Sequence, residues 1–567
     1  MGATGGKTII TTKEQRREKS WHCLCVAHFW RCLSDRSWSF FLPLYLSKHC
    51  GSIKPTSVVT FVQNLSIVLG GTQVANLFRR QKSVSLAFTV GTIVENSAVA
   101  LGGALICYVV ASSAGQSNNH NFDHGDFCQQ PLHSIPFIIG LVCMAIDAVC
   151  SSFLGMLVSK EWVAVLFSNS DNDKNDDNYK NQQQQQQLAH ANARLAKIDL
   201  AVATCCPLFI SSIIEYYGST DETDEPQNTG YDFVVWLLIS QHLIGAIWIL
   251  RNINQAWKFS PQLLYSSESS SALNTSRKEE KNDAHGTNDP KITKHGLHKE
   301  NNSSYNNNTM NTASSSLSML MNLPRRTQLV IMAYILLYFT VLSPGAMLNS
   351  WMNSLHQRND GGAREYAVSE RMIAIFGSSS QFCGAIATMI TPQLIMRQQQ
   401  ASSSSSSLYY AGMKAQWFQA ICVLLAFVCF HLLDNGYGGG STRMSSWYLL
   451  HGFLVCIGIS RIGLWSFDLV ERQILQKEDI TALTNDDGGD PTKSRKQKDN
   501  DHNPSSNSIR TILFNAEKGA TQAISLLMTF LCYVFSDRFD VLITLSTLAV
   551  TTSAVLLYFA AVKSQGL

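Results

Sequence analysis

Residues 541–559 read VLITLSTLAVTTSAVLLYF and contain no charged side chain. A helix needs about 20 predominantly apolar residues to cross a hydrocarbon core of ~30 Å. Two further long apolar stretches, Phe137 to Val158 and Thr511 to Phe535, meet the same requirement. These three stretches predict a polytopic membrane protein.

The composition of the whole chain agrees with that prediction. Of its 567 residues, 45% are hydrophobic and only 15% are charged, whereas soluble domains carry about 25% charged residues. The formal net charge of +3 is too small to predict a nucleic-acid partner. Most of the 15 cysteines lie inside apolar segments, which is not the pattern of a secreted protein held together by disulfides.

About twelve segments are long and apolar enough to be spanning helices. They lie near residues 22–47, 55–77, 84–112, 134–158, 189–215, 231–257, 326–354, 367–395, 408–433, 446–472, 508–535 and 540–562. The polar stretch from Lys258 to Asn322 separates them into two groups of six and has too few apolar side chains to fold. The fold class is therefore predicted to be all-α, with about twelve transmembrane helices in two six-helix lobes.

The distribution of polar and basic residues predicts the domain order and the orientation. We expect a cytoplasmic tail (1–20), an N-terminal lobe (21–257), a disordered cytoplasmic linker (258–325), a C-terminal lobe (326–563) and a cytoplasmic tail (564–567). Low-complexity linkers are predicted inside the lobes at 169–187 and 476–507. Residues 113–132 and 218–230 contain no Lys or Arg. Because basic residues favour the cytoplasmic side, these two loops are predicted to face the opposite side and both termini the cytoplasm.

Polar side chains inside the predicted spans indicate a binding site, because such groups are costly in a membrane. Asp35 lies in the first span, Glu95 and Asn96 in the third and His242 near the centre of the sixth. Carboxylate, amide and imidazole donors together suit a divalent first-row metal. Two alternatives stay open: Asp35 forms a local ion pair with Arg36, and His242 is an ordinary core histidine.

The seventh span is interrupted by Ser343, Pro344 and Gly345. A Pro-Gly break frees backbone carbonyls, which then need a cavity or a neighbouring helix to satisfy them. Broken helices often line transport sites, so a site in the second lobe is one interpretation of this motif. A plain packing kink is the other.

A group of charged residues near the inner membrane face is predicted to act as a cytoplasmic gate. Its members are Lys160, Glu161, Arg194, Asp199 and Arg510. Such charges would pair across the lobes when the cytoplasmic side closes. The alternative is that they form a solvated basic flank of the membrane.

Residues 460–469 read SRIGLWSFDL and closely resemble the tenth helix of ferroportins, the iron exporters of solute carrier family 40. The residues of this signature are Arg461, Gly463, Leu464, Trp465, Ser466, Phe467 and Asp468. Residues 34–38 (SDRSW) resemble the first helix of the same family, and residues 160–162 (KEW) resemble the exit of its fourth helix. The resemblance implies a major facilitator fold, with two lobes that rock about a central cavity and move Fe²⁺ out of the cytosol.

The resemblance also implies which residues bind metal. It carries the first-lobe metal positions of the family onto Asp35, onto Glu95 and Asn96, and onto His242, the residues already selected by their polarity.

The chain departs from vertebrate members of the family at three positions. Ser39 and Met528 stand where those members have a histidine, and Ala346 stands where they have a cysteine. Met528 offers a thioether in place of the histidine, or packs as an ordinary core residue. The resemblance therefore supports a metal site in the first lobe and leaves one in the second lobe open.

These observations lead us to expect a secondary transporter that exports Fe²⁺ as its substrate, without enzymatic chemistry and without a cofactor. Transport of Co²⁺, Ni²⁺ or Mn²⁺ is an alternative, because the same ligands bind several metals. A membrane receptor or enzyme is a further alternative, although the spans contain neither HExxH nor GxSxG. We expect a monomer in the lipid bilayer of the plasma membrane, or of a vacuole or other organelle, with protons as the counter-ion and no nucleic-acid partner.

Overall fold

The structure is a computed structural model of the chain. It describes residues 12–80, 84–115, 128, 131–167, 177–218, 229–264, 323–343, 345–357, 368–401, 406–435, 443–485 and 506–562. Within these residues the regular secondary structure is entirely helical. The predicted all-α fold is therefore confirmed.

Seven helices come from the first half of the chain. They are α1 (Thr12–Cys50), α2 (Lys54–Arg80), α3 (Val84–Gly115), α4 (Ile135–Met156), α5 (Val163–Phe167), α6 (Asp177–Gly218) and α7 (Thr229–Phe259). A π-helical turn, Leu157–Trp162, joins α4 to α5, and short 3₁₀ helices span Pro131–His133 and Pro261–Leu264.

Seven more helices come from the second half. They are α8 (Arg325–Leu337), α9 (Ala346–Gln357), α10 (Glu370–Ala401), α11 (Ser406–Asn435), α12 (Arg443–Asn485), α13 (Ser506–Val534) and α14 (Phe539–Val562). The seventh predicted span is thus two helices, α8 and α9, separated by residues 338–345. This separation is wider than the three residues of the predicted break.

Eight of the described helices are long and apolar enough to cross a membrane, namely α3, α4, α6, α7, α10, α11, α12 and α14. The remaining predicted spans correspond to α1, α2, the α8–α9 pair and α13, which pack among these eight. Charged side chains in the interior of α1 lower its hydropathy, and the break shortens α8 and α9.

The two predicted low-complexity linkers differ in part from the structure. Helix α6 begins at Asp177, so the glutamine run at 182–187 is helical, and α12 extends to Asn485. Glutamine has a good intrinsic helix propensity, which lets α6 include the glutamine run. The central linker 265–322 and residues 486–505 lie outside the described residues.

Each half of the chain packs as a bundle of its own. In the first bundle α1 contacts α6 and α7, and α3 contacts α4 and α7. In the second bundle α12 contacts α10 and α11, and α14 contacts α8 and α11. In the described residues the bundles are joined mainly by α1 with α9, α2 with α13, and α6 with α10, and α2 also touches α9. These pairs delimit the space between the two lobes.

The lobes contact each other at the ends that are predicted to face away from the cytoplasm, which we call the outer ends. Lys48 Nζ lies 3.0 Å from Glu370 Oε1, and the Tyr231 hydroxyl donates to the same oxygen over 2.7 Å. Deeper in the interface, Asn353 Nδ2 donates to the Leu44 carbonyl at 2.9 Å. The outer side is therefore closed by contacts between the lobes.

A disulfide joins Cys50, the last residue of α1, to Cys128. Both cysteines lie at the outer end according to the predicted orientation. Disulfides persist in oxidising compartments and are rare in the cytosol. The disulfide thus agrees with the orientation that the distribution of Lys and Arg predicts.

Candidate functional site

A cavity of about 560 Å³ lies between the lobes, on the inner side of the contacts that close the outer end. The first lobe contributes Asp35, Asp147 and His242 to its wall, together with Ser151 on α4. The second lobe contributes mainly small and neutral polar residues: Gly345, Ala346, Asn349, Gly377 and Gln381. The ionisable side chains of the cavity thus all belong to the first lobe.

Asp35 lies on α1 and faces this cavity, with 38% of its side chain exposed. Its Oδ2 accepts a hydrogen bond of 3.3 Å from the Ser151 hydroxyl and lies 4.0 Å from Arg31 Nη2. The carboxylate is therefore oriented by two neighbours but remains accessible from the cavity. The alternative of an ion pair with Arg36 is wrong, because Arg36 bonds elsewhere.

Arg31 is the cation of this region that the sequence analysis did not select. Its Nε lies 3.4 Å from Glu95 Oε1, and its Nη2 donates to the Ser151 hydroxyl at 2.8 Å and to the Ser151 carbonyl. A Cβ at Gly155 would lie 3.0 Å from Arg31 Nη1, so the absent side chain leaves room for the guanidinium. The sequence signal that could have identified the Arg31–Asp35 pair is their spacing, four residues apart on one helix.

Glu95 is buried and is not part of the cavity wall, unlike Asp35. Arg31 compensates its charge within the helix bundle. The structure therefore places Glu95 behind the cavity wall, with Arg31 within 4.0 Å of both its carboxylate and that of Asp35.

His242 and Asn96 form a hydrogen-bonded pair that determines which imidazole nitrogen is free. Asn96 Nδ2 donates to the Thr92 carbonyl at 2.8 Å, so its Oδ1 is left to accept from His242 Nδ1, which is 3.1 Å away. In the neutral imidazole this arrangement leaves the lone pair on Nε2. His242 Nε2 is buried without a hydrogen-bond partner, and the residue lines the cavity. His242 is therefore a candidate nitrogen ligand at the wall of the cavity.

Asp147 on α4 is a further acidic residue of the cavity that the sequence analysis did not select. It is 8% exposed, and its Oδ1 has no hydrogen-bond partner among the described residues. The sequence signal that could have identified Asp147 is its place at the centre of the apolar stretch 137–158, because charges within spans are rare.

The predicted cytoplasmic gate is described only in part. Asp199 accepts two hydrogen bonds from Arg36 Nη2, at 2.8 and 3.0 Å, and one from Arg36 Nε at 3.2 Å. The Arg36–Asp199 pair lies within the first lobe and does not cross to the second. Arg194 is exposed. The side chains of Lys160, Glu161 and Arg510 lie outside the described residues. Pairing of these charges across the lobes stays a prediction.

The break between α8 and α9 is held by neighbouring helices of the second lobe. The Val341 amide donates to the Ser546 hydroxyl of α14 at 2.9 Å, and Arg461 Nη2 donates to the Ser343 hydroxyl at 3.0 Å. The Gly345 amide donates to the Ser343 carbonyl at 2.7 Å, while Pro344 lies outside the described residues. The freed backbone is thus partly satisfied by protein, and Gly345 lines the cavity.

The signature on α12 connects this helix to its neighbours in the second lobe. Asp468 accepts a hydrogen bond of 2.8 Å from Tyr334 on α8, and Ser466 accepts one of 2.8 Å from Thr391 on α10. Phe467 is fully buried, and Gly463 is the point at which α12 passes close to the backbone of α11. Leu464 packs against the main core, and Trp465 contacts Gly384. The signature residues, apart from Arg461 at the helix break, therefore support packing.

A metal site in the second lobe is not assembled in the described residues. Met528 is 3% exposed and belongs to the main apolar core. Ala346 lines the cavity but offers no donor. No group of three or more His, Cys, Asp or Glu side chains is positioned around a common metal position within the described part of the chain. The candidate ligands on the cavity wall that this structure favours are Asp35, Asp147 and His242, all in the first lobe.

Comparisons with known proteins place the chain among membrane transporters. Residues 18–550 match the family model Ferroportin1 (FPN1), and no curated protein sequence matches. A bacterial homologue of the iron transporter ferroportin in an inward-facing state is 16% identical, with 96% of this chain and 99% of that chain covered and a TM-score of 0.58. A bacterial homologue of the iron transporter ferroportin in an outward-facing state with soaked iron is 14% identical, with 95% of this chain and 98% of that chain covered and a TM-score of 0.51.

The nucleoside transporter NupG is 10% identical, with coverages of 96% and 99% and a TM-score of 0.52. These likenesses extend over nearly the whole of both chains, although the sequences have diverged widely. The predicted two-lobe major facilitator fold is thus confirmed.

Proposed function

Because the chain belongs to the Ferroportin1 family, we propose that it exports Fe²⁺ from the cytosol by alternating access between its two lobes. The protein is a multi-pass membrane transporter and not an enzyme. The observation that supports the proposal is the central cavity, whose wall includes the carboxylate of Asp35 and the imidazole of His242. These donors suit a divalent first-row metal.

The conformation supports loading from the cytoplasmic side. The contacts of Lys48, Tyr231 and Glu370 close the outer end, while the cavity lies on the inner side of them. In the proposed cycle, the metal enters this cavity, the lobes rock, and the outer contacts open to release it. Protons are the proposed counter-ion, and the plasma membrane is the proposed location.

A second candidate substrate is Mn²⁺. The cavity wall is rich in oxygen donors, since Asp35, Asp147 and Ser151 all lie on it. Carboxylate and hydroxyl oxygens suit Mn²⁺, whereas a thiolate-rich site would favour softer metals. Competition between metals separates the two candidates.

The experiment that tests the proposed function is uptake of Fe²⁺ into inside-out vesicles that contain the full-length protein. Vesicles with the protein should accumulate Fe²⁺ well above empty vesicles, and Asp35→Ala should reduce that accumulation. Unlabelled Mn²⁺, Co²⁺ and Zn²⁺ are added in separate competition assays. If correctly inserted protein accumulates no more Fe²⁺ than empty vesicles do, iron export is wrong, and stronger uptake of Mn²⁺ would identify the second candidate.

A further inference from the structure

The first-lobe site carries more negative than positive charge. Arg36 and Asp199 neutralise each other through their direct ion pair. Arg31 is then the one cation shared between Asp35 and Glu95, with distances of 4.0 and 3.4 Å to their carboxylate oxygens. These two carboxylates and Arg31 together have a formal charge of −1.

Asp147 adds a carboxylate that no described cation pairs with. It is not among the residues joined to Arg31 or Arg36 by an ion pair, and its Oδ1 has no hydrogen-bond partner in the described structure. Buried polar groups are nearly always hydrogen-bonded, and a buried charge without a partner is strongly destabilising. A purely structural role for Asp147 would require a partner that the described residues do not supply.

Asp147 lines the same cavity as Asp35. Met144, Asp147, Ala148 and Ser151 follow the spacing of one face of α4, and all four line the cavity. Ser151, four residues beyond Asp147, donates directly to Asp35 Oδ2. Asp35 and Asp147 therefore border the same cavity, and Ser151, on the same face of α4 as Asp147, bonds Asp35.

We propose that Asp147 is the second carboxylate ligand of the transported divalent cation and that Asp35 is the first. This inference rests on the proposed function, because it names ligands for the metal that the cavity carries. With Asp147 included, the site has a formal charge of −2, which a divalent ion neutralises. A monovalent ion would leave one buried charge uncompensated. The charge of the site thus favours divalent substrates.

The test is calorimetric titration of the purified full-length protein with Co²⁺, which is stable in air. Asp147→Asn, which keeps the shape of the side chain and removes its charge, should weaken Co²⁺ binding at least tenfold. The matched control is Asp232→Asn, which removes a carboxylate from an exposed position on α7 outside the cavity. This control should bind Co²⁺ as the wild type does.

Thermal unfolding separates a ligand from a structural residue. If Asp147 is a ligand, Asp147→Asn should leave the Tm of the metal-free protein unchanged or raise it, because the substitution removes an uncompensated charge. The same substitution should abolish most of the rise in Tm that Co²⁺ produces. A lowered Tm without metal, combined with wild-type affinity, would overturn the inference. If the Asn variant does not fold, Asp147→Ser is measured by the same two criteria.

The outcomes also distinguish this inference from the proposed function. Binding of Co²⁺ to the wild type that persists unchanged in Asp147→Asn overturns the role of Asp147 and leaves metal transport intact. A wild type that binds neither Co²⁺ nor Fe²⁺ overturns both. Tenfold weaker binding in Asp147→Asn together with normal binding in Asp232→Asn supports both.

Discussion

Individual side chains that were selected together from the sequence have different surroundings in the structure. Asp35 and His242 present donors to the cavity. Glu95 is bonded to Arg31, and Asn96 orients the imidazole of His242. Neither Glu95 nor Asn96 lines the cavity, whereas Asp35 and His242 do. The assignment of all four residues as metal ligands stays a prediction. The structure favours Asp35 and His242 over Glu95 and Asn96, because the first two line the cavity.

That ranking leads to a prediction about metal affinity. Asp35→Ala should weaken Co²⁺ binding more than His242→Ala, because it removes a charged oxygen ligand, whereas water can partly replace a neutral imidazole. Calorimetric titration of both variants measures the difference. Ala346→Cys serves as a control in the second lobe and should change the affinity little. Wild-type affinity in Asp35→Ala would contradict the first-lobe site.

Among the helices, the crossing of α12 and α11 shows how the signature supports the second lobe. A Cβ built at Gly463 would lie 2.5 Å from the Ala415 carbonyl oxygen and 2.9 Å from the Gln419 backbone nitrogen. Backbone atoms of a packed helix cannot move aside as a flexible side chain can. The absence of a side chain at position 463 is therefore a condition for this close crossing.

We predict that Gly463→Ala lowers the stability of the protein by about 1–3 kcal/mol, the usual cost of overpacking a core. Gly519→Ala on α13 is the matched control, since no atom lies within 4 Å of its added Cβ. This control should stabilise the helix by up to about 1 kcal/mol, because alanine has the higher helix propensity. Thermal unfolding in detergent compares the variants, and equal Tm values would contradict the close crossing.

At the scale of the whole molecule, the outer contacts determine which side of the cavity is closed. Lys48 on α1 and Tyr231 on α7 both bond Glu370 on α10, and the side chains of Lys48 and Glu370 are 29% and 22% exposed. Nearby, Ser350 on α9 donates to the Pro43 carbonyl at 3.1 Å. These contacts must break in the outward-open state, so they stabilise the observed conformation relative to it.

We therefore predict that Glu370→Gln shifts the population towards the outward-open state, because it removes the charge that Lys48 pairs with. A loss of about 1 kcal/mol changes the ratio of the two states roughly fivefold. Distances between spin labels on the outer ends of the lobes report this ratio. Asp540→Asn is the control, because Asp540 pairs with Arg538 inside the second lobe. An unchanged distance distribution in Glu370→Gln would show that the pair does not hold the lobes closed.

The central linker leads to a second prediction at this scale. Residues 264–322 are predicted to be disordered from their composition. Replacing them by a short flexible linker should leave the affinity for Co²⁺ unchanged, because the described residues that line the cavity all belong to the two helical lobes. Titration of correctly inserted protein measures this affinity. A large loss would mean that the linker takes part in the site.

The helical spans, their approximate boundaries, the break in the seventh span and the family signature could all be predicted from the sequence. These features depend on hydropathy and motifs along the chain, which are local properties. Three features depend on how the lobes fold: Cys50 bonds Cys128, Arg36 pairs with Asp199 and not with Asp35, and Asp147 lines the cavity with its Oδ1 unbonded among the described residues. Such pairings depend on which helix faces meet, and residues far apart in the sequence are brought together only when the lobes pack.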